Sequence, residues 1–190
     1  MCGAGRTALA IAIQYGHVEV AMLLLYQCNA SVTACDLTGL HMLHHAVLNV
    51  GIAKTPMLVE AVISAVGDLS LIMDYVGWTP LHAACMVIEK LGGVNDADMR
   101  IRIVQMLLAA GSPVNCCTAD QVTPLMVAVF YDSEWDLLLT SRADVHARNS
   151  VGQRALEIVQ QLVPRMGHVE DRSIAPTWLS PKVKHLPCPH

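Results

Sequence analysis

The sequence predicts an all-α solenoid: helix–loop–helix units stacked in one dimension and joined by short β-hairpin turns. Three observations predict it. An eight-residue segment recurs along the chain, the spacing between copies varies where loops would sit, and the apolar mass is small or straight-chain. Of 190 residues, 54% are hydrophobic, 4% aromatic and 15% charged, against a globular average of about 25% charged. So much apolar surface offsets the entropy of ordering and excludes disorder for most of the chain. The abundant Ala, Leu, Val and Met suit close helix packing better than a sheet core.

The recurring segment is clearest as Gly77-Trp78-Thr79-Pro80-Leu81-His82-Ala83-Ala84. It returns as Gly5-Arg6-Thr7-Ala8-Leu9-Ala10-Ile11-Ala12 and as Gln121-Val122-Thr123-Pro124-Leu125-Met126-Val127-Ala128. Weaker copies start at Gly39 and Gly152, so successive starts lie 34, 38, 44 and 31 residues apart. Within each copy Thr79 or Thr123 can cap a helix through its side-chain oxygen. Pro80 and Pro124 then take the first helical position, where no donor is lost. Leu81, Ala84 and Cys85 follow at i, i+3 and i+4, one apolar stripe.

These segments resemble the ankyrin repeat, a unit of about 33 residues with a Thr-Pro-Leu-His signature. The resemblance covers about residues 3–163 and implies units at about 3–36, 37–74, 75–118, 119–149 and a partial 150–163. The unequal spacings fit it. A second-helix motif follows each of the first four starts, at Val20, Val59, Ile103 and Glu134, and in units two to four it begins 18 residues before the next start. The length variation there falls between the two helices. Relative to a 33-residue unit, about 5 residues are gained at 51–56, about 11 at 88–99, and about 2 lost near Asp132. Loops absorb such changes cheaply. Second helices end at Cys28-Asn29, Val66-Gly67 or Ala110-Gly111, residues that accept the left-handed C-cap; Arg142 departs from that pattern.

The ends differ from the middle. Ala8, Leu9, Ala12, Ile13, Val20, Leu23 and Leu24 give the first unit no polar outer face, so it reads as an internal unit of a longer chain. Residues 164–190 hold Pro164, Pro176, Pro181, Pro187 and Pro189 and read as an extended, flexible tail.

Candidate chemistry weighs against an enzyme. No dinucleotide, Walker, nucleophile-elbow or His-Glu-x-x-His pattern is present. His41, His44 and His45 have a spacing usable by zinc. However, His44 aligns with the signature histidine, which in the resembled family ties neighbouring units, and His41 takes the signature Thr position. His82 reads as structural for the same reason. Cys116-Cys117 lies in a hairpin without a partner to lower either thiol, and Cys85 reads as packing. Asp96 and Asp98 with Asn95 lack the glycine and closing Glu of a calcium loop and read as solvating the long insert. No cofactor or metal is expected. A net charge of −4 and a pI near 6.1 leave no nucleic-acid footprint, and no apolar run is long enough to insert in a membrane. Seven irregularly spaced cysteines without an export signal read as reduced thiols in the cytoplasm, or else the nucleus.

What remains is surface. The resemblance implies a non-catalytic module that binds a protein or peptide in a concave groove. The alternative is a fragment that targets or regulates a catalytic or channel domain outside this chain. By alignment the groove side carries Arg6, Ile11, Leu40, His45, Trp78, Ala83, Val122 and Val127, with tips at Leu37, Tyr75, Val76 and Ala119. Tyr75 and Trp78 weigh most, since aromatic residues anchor interfaces; Trp78 is expected to be held out for a ligand, and Tyr75, nearer the tip and water, to contribute more weakly.

Overall fold

The structure is a computed structural model that describes residues 5–48, 55–86, 96–133 and 135–162. Among these residues lie nine helices: α1 Ala8–Gln14, α2 Val18–Tyr26, α3 Met42–Leu48, α4 Thr55–Val66, α5 Pro80–Met86, α6 Asp96–Ala109, α7 Pro124–Tyr131, α8 Trp135–Thr140 and α9 Ala155–Leu162. The short first helices form one layer, in which α1 packs on α3, α3 on α5, α5 on α7 and α7 on α9. The second helices form another, α2 on α4 and α4 on α6, each also packed on its own first helix. Between the layers runs one apolar core that includes Leu9, Ile13, Met42, Leu43, Leu58, Leu81, Leu107, Met126 and Leu138, all less than 4% exposed. One-dimensional stacking follows, because each helix pair has an apolar stripe that only a neighbouring pair can cover.

Local chemistry sets the ends of the elements. Thr7 Oγ1 accepts the Ala10 N–H at 3.1 Å and Thr123 Oγ1 that of Met126 at 3.3 Å, closing the first turns of α1 and α7. Second helices stop where the chain turns left-handed, at Asn29 (φ 47°), Gly67 (79°), Gly111 (82°) and Arg142 (65°). The side chain at Arg142 takes the steric cost of that conformation. The third unit's insert is shorter than the sequence reading had it. Asp96 and Asp98 are already helical, opening α6. Likewise Thr55 and Pro56 begin α4 instead of ending the preceding loop. The rest of that insert and the tail at 164–190 lie outside the described residues.

The connecting turns close as hairpins through Asp36 N–H to Leu40 O at 3.0 Å, Asp74 N–H to Trp78 O at 2.8 Å, Thr118 N–H to Val122 O at 3.0 Å and Asn149 N–H to Gln153 O at 3.0 Å. They are too short for strands; among the described residues one isolated bridge, Cys35 to His41, has β pairing. Each turn stacks on the next. Gly39 has φ 79°, and a Cβ there would sit 2.8 Å from the Tyr75 backbone nitrogen. Further out, Asn115 links hairpins: its side chain donates to Arg142 O at 3.2 Å and accepts the Asp144 N–H at 2.7 Å. The same place in the preceding hairpin is Leu71, and there the following unit offers Pro113, which has no N–H to give.

Two glycines separate the causes of strain. Gly67 is left-handed with nothing within 4 Å of an added Cβ, so Gly67→Ala should cost about 1–2 kcal/mol from conformation alone. Gly39→Ala adds the collision with Tyr75 and should cost clearly more. Urea unfolding of the two variants side by side checks the order; equal losses would mean that the turns do not touch.

Candidate protein-binding surface

The surface rests on the joint between units. His82 Nδ1 accepts the Thr79 N–H at 3.1 Å, and its Nε2–H donates to Val122 O of the next unit at 3.0 Å. His44 repeats this, taking the His41 N–H at 3.1 Å and reaching Trp78 O at 3.0 Å. One nitrogen must accept and the other donate, so each ring is held neutral in a single tautomer. Burial, first of all, pushes both rings down from 6.5 to about 4, against the opposing pull of the Trp78 and Val122 carbonyls. The Thr79 hydroxyl, read from the sequence as the helix cap, donates to His82 Nδ1 at 2.9 Å and accepts the His82 N–H only at 3.4 Å. His41 replaces the capping threonine with a ring nitrogen: its Nδ1 accepts the Leu43 N–H at 3.1 Å, and its Nε2–H points at Val32 O. Among the described residues no group of three His, Cys, Asp or Glu side chains is placed to hold a metal ion.

A second fixture escaped the sequence reading. Asp36 Oδ1 accepts the N–H groups of Thr38 and Leu40 at 2.8 and 3.0 Å. Asp74 Oδ1 does the same for Val76 and Trp78 at 2.8 and 3.0 Å, and Asn149 Oδ1 for Val151 and Gln153 at 3.1 and 2.8 Å. In the remaining hairpin Thr118 Oγ1 takes one such bond, from Val122 N–H at 3.2 Å. The signal was available: each of these residues stands five places before the signature threonine position, and Asp, Asn and Thr are the side chains that fold back on turn N–H groups. Burial would raise the Asp36 carboxyl, but the bonds from Thr38 and Leu40, with His45 beside it, hold it below the usual range.

These fixtures decide which candidate residues reach water. Arg6, Leu40, Trp78 and Val122 occupy one position, just before the signature threonine, in successive units. Arg6, Leu40 and Trp78 are half-buried, and the Arg6 guanidinium donates to Gln14 Oε1. Trp78 packs against the core, its ring 5.4 Å from that of His82. Tyr75, at the tip, is 76% exposed, whereas Trp78, expected to be held out for a ligand, is half-buried on the core. Val122 is a correction: at 1% exposure it belongs to the core cluster and has no side-chain area to offer. His45 is another. The Asp36 carboxylate accepts its Nε2–H at 3.1 Å and holds the ring buried, and burial lowers its pKa despite that carboxylate. Ala83 and Val127 are also buried, because α5 and most of α7 are closed on every side.

The open area lies instead on the hairpin arms. Leu71, Met73 and Tyr75 are exposed, while Ile72 and Asp74 between them are buried, the period-two alternation of an extended segment. The neighbouring arms repeat it with Thr33, Cys35 and Leu37, then with Asn115, Cys117 and Ala119. The result is a ladder of exposed side chains, apolar at its middle. Cys116 lies inside this alternation, half-buried, and burial followed by Cys117 pushes its thiol up.

Neutral His44 and His82 make stability depend on pH. The unfolded rings bind protons below about 6.5 while the folded rings resist until about 4. Stability should therefore be full above pH 6.5 and fall between 6.5 and 4, by roughly 1.4 kcal/mol per unit for each ring. His82→Gln keeps a donor for Val122 O but removes the titration. It should cut that part of the slope by about half in urea melts at stepped pH; an unchanged slope would show that His82 is not the buried base.

The family model of the ankyrin repeat matches residues 4–37 and 76–119, the first unit and the unit with the clearest signature. No curated protein matches the chain. The matched segments, the stacked helix pairs and the histidine joints agree: residues 4–37 and 76–119 are ankyrin repeats within an all-α repeat fold.

Proposed function

We propose that this chain is a non-catalytic interaction module that binds an extended stretch of a partner protein along its hairpin arms, centred on Tyr75, Leu37, Leu71 and Met73. Ankyrin repeats generally serve as protein–protein interaction modules, which supports the class. The observation that carries the surface is the alternation of exposure in successive arms. Leu37 at 69%, Leu71 at 81% and Tyr75 at 76% are left open on arms whose turns are pinned by Asp36 and Asp74. Clustered exposed apolar side chains on a rigid frame mark an interaction site more than scattered ones do. The frame is already ordered, so binding does not have to meet the cost of ordering it. Arg6, Leu40 and Trp78 border this area and supply its half-buried edge. Among the described residues no helix is long and apolar enough to cross a membrane.

Tyr75 is the clean test because little of it is buried. Tyr75→Ala should melt with the parent yet recover the partner about 30-fold more weakly in a pull-down, the loss of a hot spot worth about 2 kcal/mol. Trp78→Ala should lose both, because its ring also packs on the core and on His82. Undiminished recovery by Tyr75→Ala would remove the tips from the binding surface.

A further inference from the structure

The fifth unit is open on a side that the other four keep closed. Two places after the signature threonine position, units one to four carry Leu9, Leu43, Leu81 and Leu125; five places after it they carry Ala12, Ala46, Ala84 and Ala128. Each of these residues is at most 4% exposed and belongs to the core between the layers. Leu156 and Val159 hold the same places on α9, yet Leu156 is 58% exposed and Val159 only half-buried. Standing three residues apart on a helix, they share one face. In units one to four the first helix packs on the second helix of its own unit. The described residues stop at Leu162, the end of α9, before the place that such a helix would take.

The next stretch of the chain fits that place. Gly16-His17-Val18-Glu19 is the segment that opens α2, and Val18, its first helical residue, is 3% exposed. The same four residues recur as Gly167-His168-Val169-Glu170 and nowhere else in the chain. Residues 163–168 separate α9 from Val169, a link as long as residues 49–54 between α3 and α4. Pro164 falls within this link, where no helical N–H is lost. Pro176 would stop a helix opened at Val169 after seven residues, one more than α8 has. The two prolines thus bracket this stretch and do not break it. We infer that residues 167–175 complete the fifth unit as its second helix and cover Leu156 and Val159, with Val169 in the buried place that Val18 has in the first unit. Glu170, Asp171, Arg172 and Ser173 then supply the polar exterior that the last unit of an array needs. A short link keeps the segment at a high effective concentration, so it outcompetes a separate chain for this face. Covering the face keeps a second copy from stacking on it.

The test is solution NMR of the whole chain, isotopically labelled. Residues 169–175 should have helical Cα shifts, and the Val169 methyls should show NOEs to Leu156 or Val159. Amides 173–175 should exchange with solvent at least about tenfold more slowly than in an unstructured chain. Val169→Asp should return them to the unstructured rate while α1 to α7 keep their protection. Leu156→Asn should do the same from the other side of the contact; because Leu156 stands outside the core of the stack, this variant tests the contact and not the folding of the array. Val183→Asp, beyond Pro176, should leave the exchange unchanged. Random-coil shifts over 169–175, a helix without NOEs to α9, or exchange that neither Val169→Asp nor Leu156→Asn alters would overturn the assignment. NOEs to Leu156 that arise only between labelled and unlabelled copies would overturn it in favour of a second copy on this face.

Discussion

The neutral imidazole bridge is the interaction on which the array depends. In units two and three a single ring takes the N–H that opens its own helix and gives its proton to a carbonyl of the next unit's turn. One side chain thus fixes both the start of a helix and the distance to its neighbour. A buried ring can do this only uncharged, because protonation would turn the accepting nitrogen into a second donor facing an N–H. The same bridge anchors the backbone of Trp78 and Val122, the residues that lead each turn into its helix. Where those side chains can point is largely settled by it.

Units that lack the histidine use substitutes, and their chemistry differs with position. The first unit has Ala10 there and relies on Thr7 alone for its cap. The fourth has Met126 and depends on Thr123. In the last, Arg154 stands at the threonine position and Glu157 at the histidine position, and the Glu157 carboxylate accepts the Arg154 N–H at 2.9 Å. A carboxylate satisfies the helix start but has no proton to pass to a carbonyl of another unit. Cross-unit ties elsewhere are side chains reaching backbone, such as Ser133 Oγ–H to Cys85 O at 2.9 Å.

Because these joints use backbone and buried side chains, outward positions are free to vary without loss of the stack. The hairpin arms and the furrow between α2 and α4, lined by Leu23 and Met57, are two expressions of that freedom. The arms alternate because each is extended, so every second residue turns away from the core. The furrow exists because two rods packed side by side leave one between them. In both places exposed side chains, Leu71 and Tyr75 on one side and Leu23 and Met57 on the other, reach water instead of the core.

The repeat, its helix pairs, the left-handed ends at Asn29, Gly67, Gly111 and Arg142, and the structural roles of His44 and His82 were legible in the chain alone. All are set by local rules acting within about one turn or by a motif that recurs in sequence. The buried state of Val122 and His45, and the exposure of Val20 and Leu23, were not. Each depends on a residue distant in the chain or on the rotation of one helix against another. Val122 is closed in by a stack whose register comes from His82, forty residues earlier, and His45 is held down by Asp36 from across the hairpin that precedes its helix. Spacing along a chain determines which residues share a face of one helix. Only packing decides whether that face meets a neighbour or water.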